Sequence, residues 1–171
     1  YDAAGPVSLS IDAKAGADKL TITGGPGTDT STIGRYMVFH SGPGTAGSPG
    51  YYYVSGNNIE TIIDNAGTGA VQKVTLNDGP DNGDWFRAYA QLRSGYMQSA
   101  AGNPNVYSNS AFGYDSINGG AAQGGTGDRA DLYDTDGNDL FVARAGALSN
   151  PASYISRQSG GTGNPARVQG R

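Results

Sequence analysis

Cysteine is absent from the 171 residues, and histidine, glutamate and tryptophan occur once each, as His40, Glu60 and Trp85. Without cysteine there is no disulfide framework and no thiolate metal site. A nucleophile–base pair would have to be built on His40, which sits in Phe39-His40-Ser41-Gly42 at the end of a strand-like run. No glycine-x-serine-x-glycine elbow occurs. The expectation is a satisfied surface histidine and a protein that is not an enzyme. Lysine is scarce too, at three residues, and the formal net charge is −4. Clustered cations that would hold phosphates are missing, so nucleic acid is not an expected partner. No apolar run approaches the 18 or so residues of a membrane span.

Aliphatic side chains are also few. Leu, Ile, Val and Phe together number 27, against 29 glycines, 8 prolines and 11 tyrosines. A large round core is excluded on those numbers, whereas a narrow core stacked strand on strand is compatible with them. Helices are not expected, because Gly or Pro interrupts nearly every window long enough for three turns. The segment from Trp85 to Leu92 reads either as a helix capped by Asp84 or as an alternating strand, and comparison with sister segments favours the strand.

What the chain does have is recurrence. Asp18-Lys19-Leu20-Thr21-Ile22, Gln72-Lys73-Val74-Thr75-Leu76 and Asp128-Arg129-Ala130-Asp131-Leu132 are three copies of one pattern, and Ile22, Leu76 and Leu132 stand 54 and 56 residues apart. Fixed-period self-similarity predicts units that bury their apolar faces against their neighbours. The expected fold is all-β, a single repeat domain over 1–171 with a period of about 55 residues (1–58, 59–111 and 112–171) and about four strands per period. A parallel β-solenoid or β-roll is the first expectation, and a closed threefold β fold or a sandwich is the alternative. Ile22, Leu76, Leu132, Ile62, Ile117, Phe86 and Phe141 are expected to point inward, with equivalent segments directly on top of one another. The segments 40–50 and 95–105 differ between copies and are expected to be surface insertions.

Each copy is followed by a carboxylate-bearing turn. Gly24-Gly25-Pro26-Gly27-Thr28-Asp29 fits a glycine-glycine-x-glycine-x-aspartate pattern, and Asp134-x-Asp136-Gly137-x-Asp139 has the alternate-oxygen spacing of a calcium loop. Asp78, Asp81 and Asp84 form a looser version. Three carboxylates crowded into one turn repel each other unless a hard cation or water separates them, which makes these seven residues candidate Ca²⁺ ligands. Ordinary Asx turns are the competing account. The same carboxylates recur copy after copy, which suits a scaffold better than glycoside chemistry, where a catalytic pair occurs once.

The third copy, Ala130 to Ala143, preceded by Phe112-Gly113-Tyr114-Asp115-Ser116-Ile117 and Gly124-Gly125-Thr126-Gly127-Asp128, resembles units of the tandem arrays in very large secreted proteins of planctomycete-type bacteria. Its turns resemble calcium-binding, repeats-in-toxin-like β-rolls. The resemblance implies an extracellular, repetitive, structural role without supplying a chemistry. A chain that begins at Tyr1 and is rich in Gly, Ser, Thr, Asn and Tyr fits a secreted protein whose signal has been removed. The expected function is therefore a secreted subunit of an extracellular fibre, sheath or matrix that joins copies of itself head to tail through terminal strands. The alternative is a calcium-dependent carbohydrate-binding or adhesion module with a polysaccharide as partner. Tyr51, Tyr52 and Tyr53 are the candidate assembly or sugar-stacking face for either. No Asn-x-Ser/Thr sequon is present.

Overall fold

The computed structural model describes residues 7–43, 51–69, 71–102, 106–120 and 127–133, and the backbone of three further strands at 139–142, 156–159 and 166–169; for Val7 and Tyr51 too, only the backbone is described. The strands are β1 (Val7–Asp12), β2 (Lys19–Thr23), β3 (Thr30–Ile33), β4 (Met37–Pro43), β5 (Tyr51–Asn57), β6 (Thr61–Asn65), β7 (Lys73–Asn77) and β8 (Trp85–Tyr89). They continue with β9 (Ser94–Gln98), β10 (Ser108–Phe112), β11 (Ser116–Gly120), β12 (Arg129–Tyr133), β13 (Asp139–Val142), β14 (Ser156–Ser159) and β15 (Ala166–Gln169). No helix occurs among the described residues. The strands form an open six-stranded sheet, β1-β5-β4-β3-β7-β11, an open seven-stranded sheet, β15-β12-β8-β9-β10-β6-β2, and the small pair β13-β14.

The recurrence in the sequence reappears as a pairing rule. The first strand of a copy pairs in parallel with its own fifth, as β1 with β5 and β6 with β10. The second pairs in parallel with the first strand of the next copy, as β2 with β6 and β7 with β11. The third pairs in parallel with the second strand of the next copy, as β3 with β7 and β8 with β12. Third, fourth and fifth strands form an antiparallel meander, β3-β4-β5 in one copy and β8-β9-β10 in the next. The sheets are thus mixed rather than purely parallel.

Equivalent segments do not lie directly on one another. Ile22 and Leu132 belong to opposite ends of the seven-stranded sheet, while Leu76 lies in the six-stranded one. In each of the first two copies the chain changes sheet three times, and an odd number of crossings places the strands of the second copy in the opposite sheets from those of the first. A copy also holds five strands instead of four. The run Thr32–Phe39 breaks into a hairpin, β3 to β4, closed by Gly34 N donating to Met37 O at 2.8 Å. Ser94–Gln98, expected as part of an insertion, is the meander's middle strand.

Both sheets obey the period-two alternation of a half-buried strand. In the six-stranded sheet the registers align Leu9-Val54-His40-Ser31-Val74-Ile117 and Ile11-Gly56-Val38-Ile33-Leu76-Gly119 as inward rows. The seven-stranded sheet aligns Leu20-Ile62-Asn109-Met97-Phe86-Ala130 and Ile22-Asp64-Ala111-Gly95-Ala88-Leu132. The rows face each other: a methyl added at Gly56 would meet Leu20 across the gap, and one at Gly119 would meet the Phe86 ring at 2.6 Å. Ile22, Leu76, Ile62 and Phe86 are buried as expected, and Ile117 and Leu132 pack against the core from its margin. The Phe141 side chain lies outside the described residues.

Candidate functional site

The polar residues that stand out in the structure are inside it. His40, read from sequence as a surface residue, is fully buried in mid-strand. It projects from the six-stranded sheet toward Asp64 of the seven-stranded one, whose carboxylate lies 2.8–2.9 Å from Nδ1. The opposite ring nitrogen, Nε2, is 3.0 Å from the Tyr52 hydroxyl. That hydroxyl donates its own proton to Asp29 Oδ1 at 2.6 Å, so its oxygen accepts from Nε2–H. With the Asp64 carboxylate against Nδ1 and the Tyr52 hydroxyl against Nε2, the ring is hydrogen-bonded on both sides between two buried acidic residues. Ser31 Oγ donates to Asp64 rather than to the histidine, so Ser31, His40 and Asp64 form no nucleophile–base relay. Tyr114 closes the cluster, and burial together with the charge of Asp64 pushes its hydroxyl far above the ordinary phenol range.

Of the first two copies, only the first carries this cluster. By the strand registers, Phe86, Met97 and Gly119 occupy in the second copy the places of Ser31, His40 and Asp64 in the first. The exchange conserves volume: where Asp64 gives way to a glycine, the Phe86 ring fills the space.

A second polar arrangement recurs at the corner between second and third strands. In the first copy Asp29 N donates to Gln72 Oε1 at 2.6 Å, and in the second Asp84 N donates to Asp128 Oδ1 at 3.0 Å. Lys73 N bonds Asp29 O, and Arg129 N bonds Asp84 O in the same way. Each corner is thus stapled to the copy that follows. Asp29 spends its carboxylate on the Tyr52 hydroxyl and on Gly67 N at 2.7 Å, and therefore acts as an internal acceptor. Asp84 receives Gly79 N at 2.9 Å, and Tyr107 takes the place that Tyr52 has at the first corner. Burial pushes the Asp84 carboxyl upward, against the pull of the Gly79 amide. The Tyr107 hydroxyl is pushed far up by burial and by Asp84, and that of Tyr52 by burial and Asp29.

The candidate metal ligands separate accordingly. Asp78 and Asp84 come together, and Asp128 of the next copy joins them; the three offer ligand atoms within 4.8 Å of one another. Asp81 turns to an ion pair with Arg35 at 2.9 Å. Asp134 and Asp136 lie outside the described residues, and Asp139 is described by its backbone alone. The spacing pattern within one turn could not reveal Asp128, because it arrives through β12 pairing with β8. Of the three tyrosines, Tyr53 alone has a described exposed side chain, packed on Phe39 with centroids 6.0 Å apart. Tyr52 faces inward, and the side chain of Tyr51 is not described.

The outward face of the seven-stranded sheet is aromatic and cationic. Tyr89 stacks on Tyr133 at 4.4 Å, and Tyr96 meets Tyr89 and Phe112 edge-on. The Trp85 ring lies beneath the guanidinium groups of Arg87 and Arg129, at 4.1 and 4.7 Å. No protein-family model, curated protein or solved structure matches the chain.

Proposed function

We propose that the chain is a structural module of an extracellular fibre, sheath or matrix that extends by adding copies of itself strand to strand. The observation that carries this reading is the inter-copy pairing rule, together with what it leaves open. By that rule a first strand takes a second strand of the preceding copy, and a second strand takes a third. β1 and β2 are a first and a second strand and stand at edges of their sheets. Leu9 sits on the core-facing row beside Val54 and yet is 51% exposed, so the core runs out at that edge. A further copy of the unit laid against that edge would cover it and satisfy both edges.

Electron microscopy and light scattering across a concentration series test the reading. Linear particles that lengthen with concentration are expected, and Leu9→Asp, which replaces the exposed apolar side chain at that edge with a charge, should shorten or abolish them. A monodisperse monomer at every concentration defeats it. The aromatic face of the seven-stranded sheet supports a second reading, adhesion to a polysaccharide. Saturable binding to an insoluble glycan by the monomer, lost in Tyr89→Ala with the fold intact, would favour that reading over assembly.

A further inference from the structure

The two stapled corners share one backbone frame, yet they differ in charge. At the first corner the three equivalent positions hold Gly24, Asp29 and Gln72, with a single carboxylate. At the second they hold Asp78, Asp84 and Asp128, with three. The frame itself is the same: Gly24 N bonds Asn65 O as Asp78 N bonds Gly120 O, and the amide of Asp29 or Asp84 is capped by the side chain at position 72 or 128. A neutral glutamine is thus sufficient to cap the corner, and the second corner adds two carboxylates on the same frame.

Two of the three are almost wholly buried, Asp78 at 3% and Asp84 at 1% exposure. Asp84 Oδ2 accepts from Gly79 N, while its other oxygen, Oδ1, is buried and makes no close hydrogen bond, although the Tyr107 hydroxyl interacts with this carboxylate. Such a carboxylate oxygen among two further carboxylates is costly unless a cation completes it. Oxygens bound to one Ca²⁺ at 2.3–2.6 Å lie at most about 5 Å apart, and the three carboxylates meet that limit. Gly83, with φ of +80°, makes the tight bend that brings its amide and that of Asp84 onto Asp128, leaving the second Asp128 oxygen for a ligand. Asp78 and Gly79 also line a surface depression of about 460 Å³ that runs past Arg35 and Tyr36, which gives a cation a way in.

We propose that Asp78, Asp84 and Asp128 form a divalent-cation site, selective for a hard ion such as Ca²⁺, that clamps one copy of the repeat to the next. Two ligands come from the β7–β8 corner and the third from the segment entering β12, so the ion closes the same contact that Gln72 closes at the first corner by hydrogen bonding alone. The site lies within a single chain, and its occupancy is read separately from assembly, so this inference and the fibre reading can fail independently.

Terbium luminescence excited through Trp85, the chain's single tryptophan and the neighbour of Asp84, reports on the site directly. Terbium emission that is displaced by CaCl₂ is expected, with a rise in melting temperature at up to ~10 mM CaCl₂. Asp128→Asn retains an acceptor for the Gly83 and Asp84 amides and removes one charge. It should fold, gain stability without metal, and lose Trp85-sensitised emission by about tenfold or more. Asp136→Asn, in the other candidate calcium turn, should leave that emission unchanged. Wild-type emission in folded Asp128→Asn, loss of emission in Asp136→Asn, or no calcium-dependent change in melting temperature would overturn the proposal.

Discussion

His40 shows how one residue can be replaced safely only with its neighbours. Its ring bonds the Asp64 carboxylate and the Tyr52 hydroxyl in the core, so His40→Ala strips two buried polar groups of a partner, opens a cavity, and should cost about 3–5 kcal/mol by chemical denaturation. Copying the second copy's solution, Ser31→Phe with His40→Met and Asp64→Gly, should recover most of that loss, because the three positions are volume-matched and couple as a unit. A triple variant less stable than His40→Ala would refute the equivalence. Tyr52, Tyr107 and Tyr114 set the alkaline limit. Their folded-state hydroxyls hold their protons more tightly than the unfolded chain does. Their stability contribution is therefore intact below about pH 10 and is lost as pH rises beyond it, by about 1.4 kcal/mol per pH unit for each. Tyr114→Phe should reduce the slope of stability against pH above 10 by one group's share.

At the scale of strands and corners, small residues decide the packing. Gly119 on β11 and Gly95 on β9 face inward, where a methyl would approach Phe86 or Ile117 to 2.6 Å. Gly119→Ala should cost about 1–3 kcal/mol by overpacking, and pairing it with Phe86→Leu should return part of it. The inward glycine also explains why Ser94–Gln98 does not look like a strand in the sequence: its core-facing positions are Gly95 and Met97, and a glycine carries no hydrophobic signal. Thr32–Phe39 misled in the opposite sense. Its β-branched and aromatic residues continue across the Gly34–Tyr36 turn, so composition alone joins two antiparallel strands into one.

For the molecule as a whole, the consequential feature is what occupies β12. The pairing rule calls for a first strand in parallel there, and β15 lies along it antiparallel instead, matching Arg129 with Gln169 and Leu132 with Ala166. If copies join by this edge, β15 must leave first. Deleting residues 160–171 should then speed the growth of fibres followed by light scattering, and a deletion that slows growth would place the contact elsewhere. In the strands that carry the pairing rule the repeated unit tolerates one polar and one apolar core on the same frame, consistent with a fold held by registers and backbone bonds more than by particular side chains.

The amino-acid order by itself determined that this chain is β-rich, that it repeats every 54 to 56 residues, and which aliphatic residues turn inward, because period-two burial and turn chemistry act over a few neighbouring residues. Tertiary structure alone decided which strands meet. Parallel pairing partners lie 42 to 47 positions apart, not one full period, and an odd count of sheet crossings sends the first two copies to opposite sheets. Such long-range registers are set by the facing rows as a whole, and no local window contains them. The same physics hid the burial of His40 and the arrival of Asp128 beside Asp78 and Asp84: each depends on a residue from a distant strand, and it is that strand which supplies the charge.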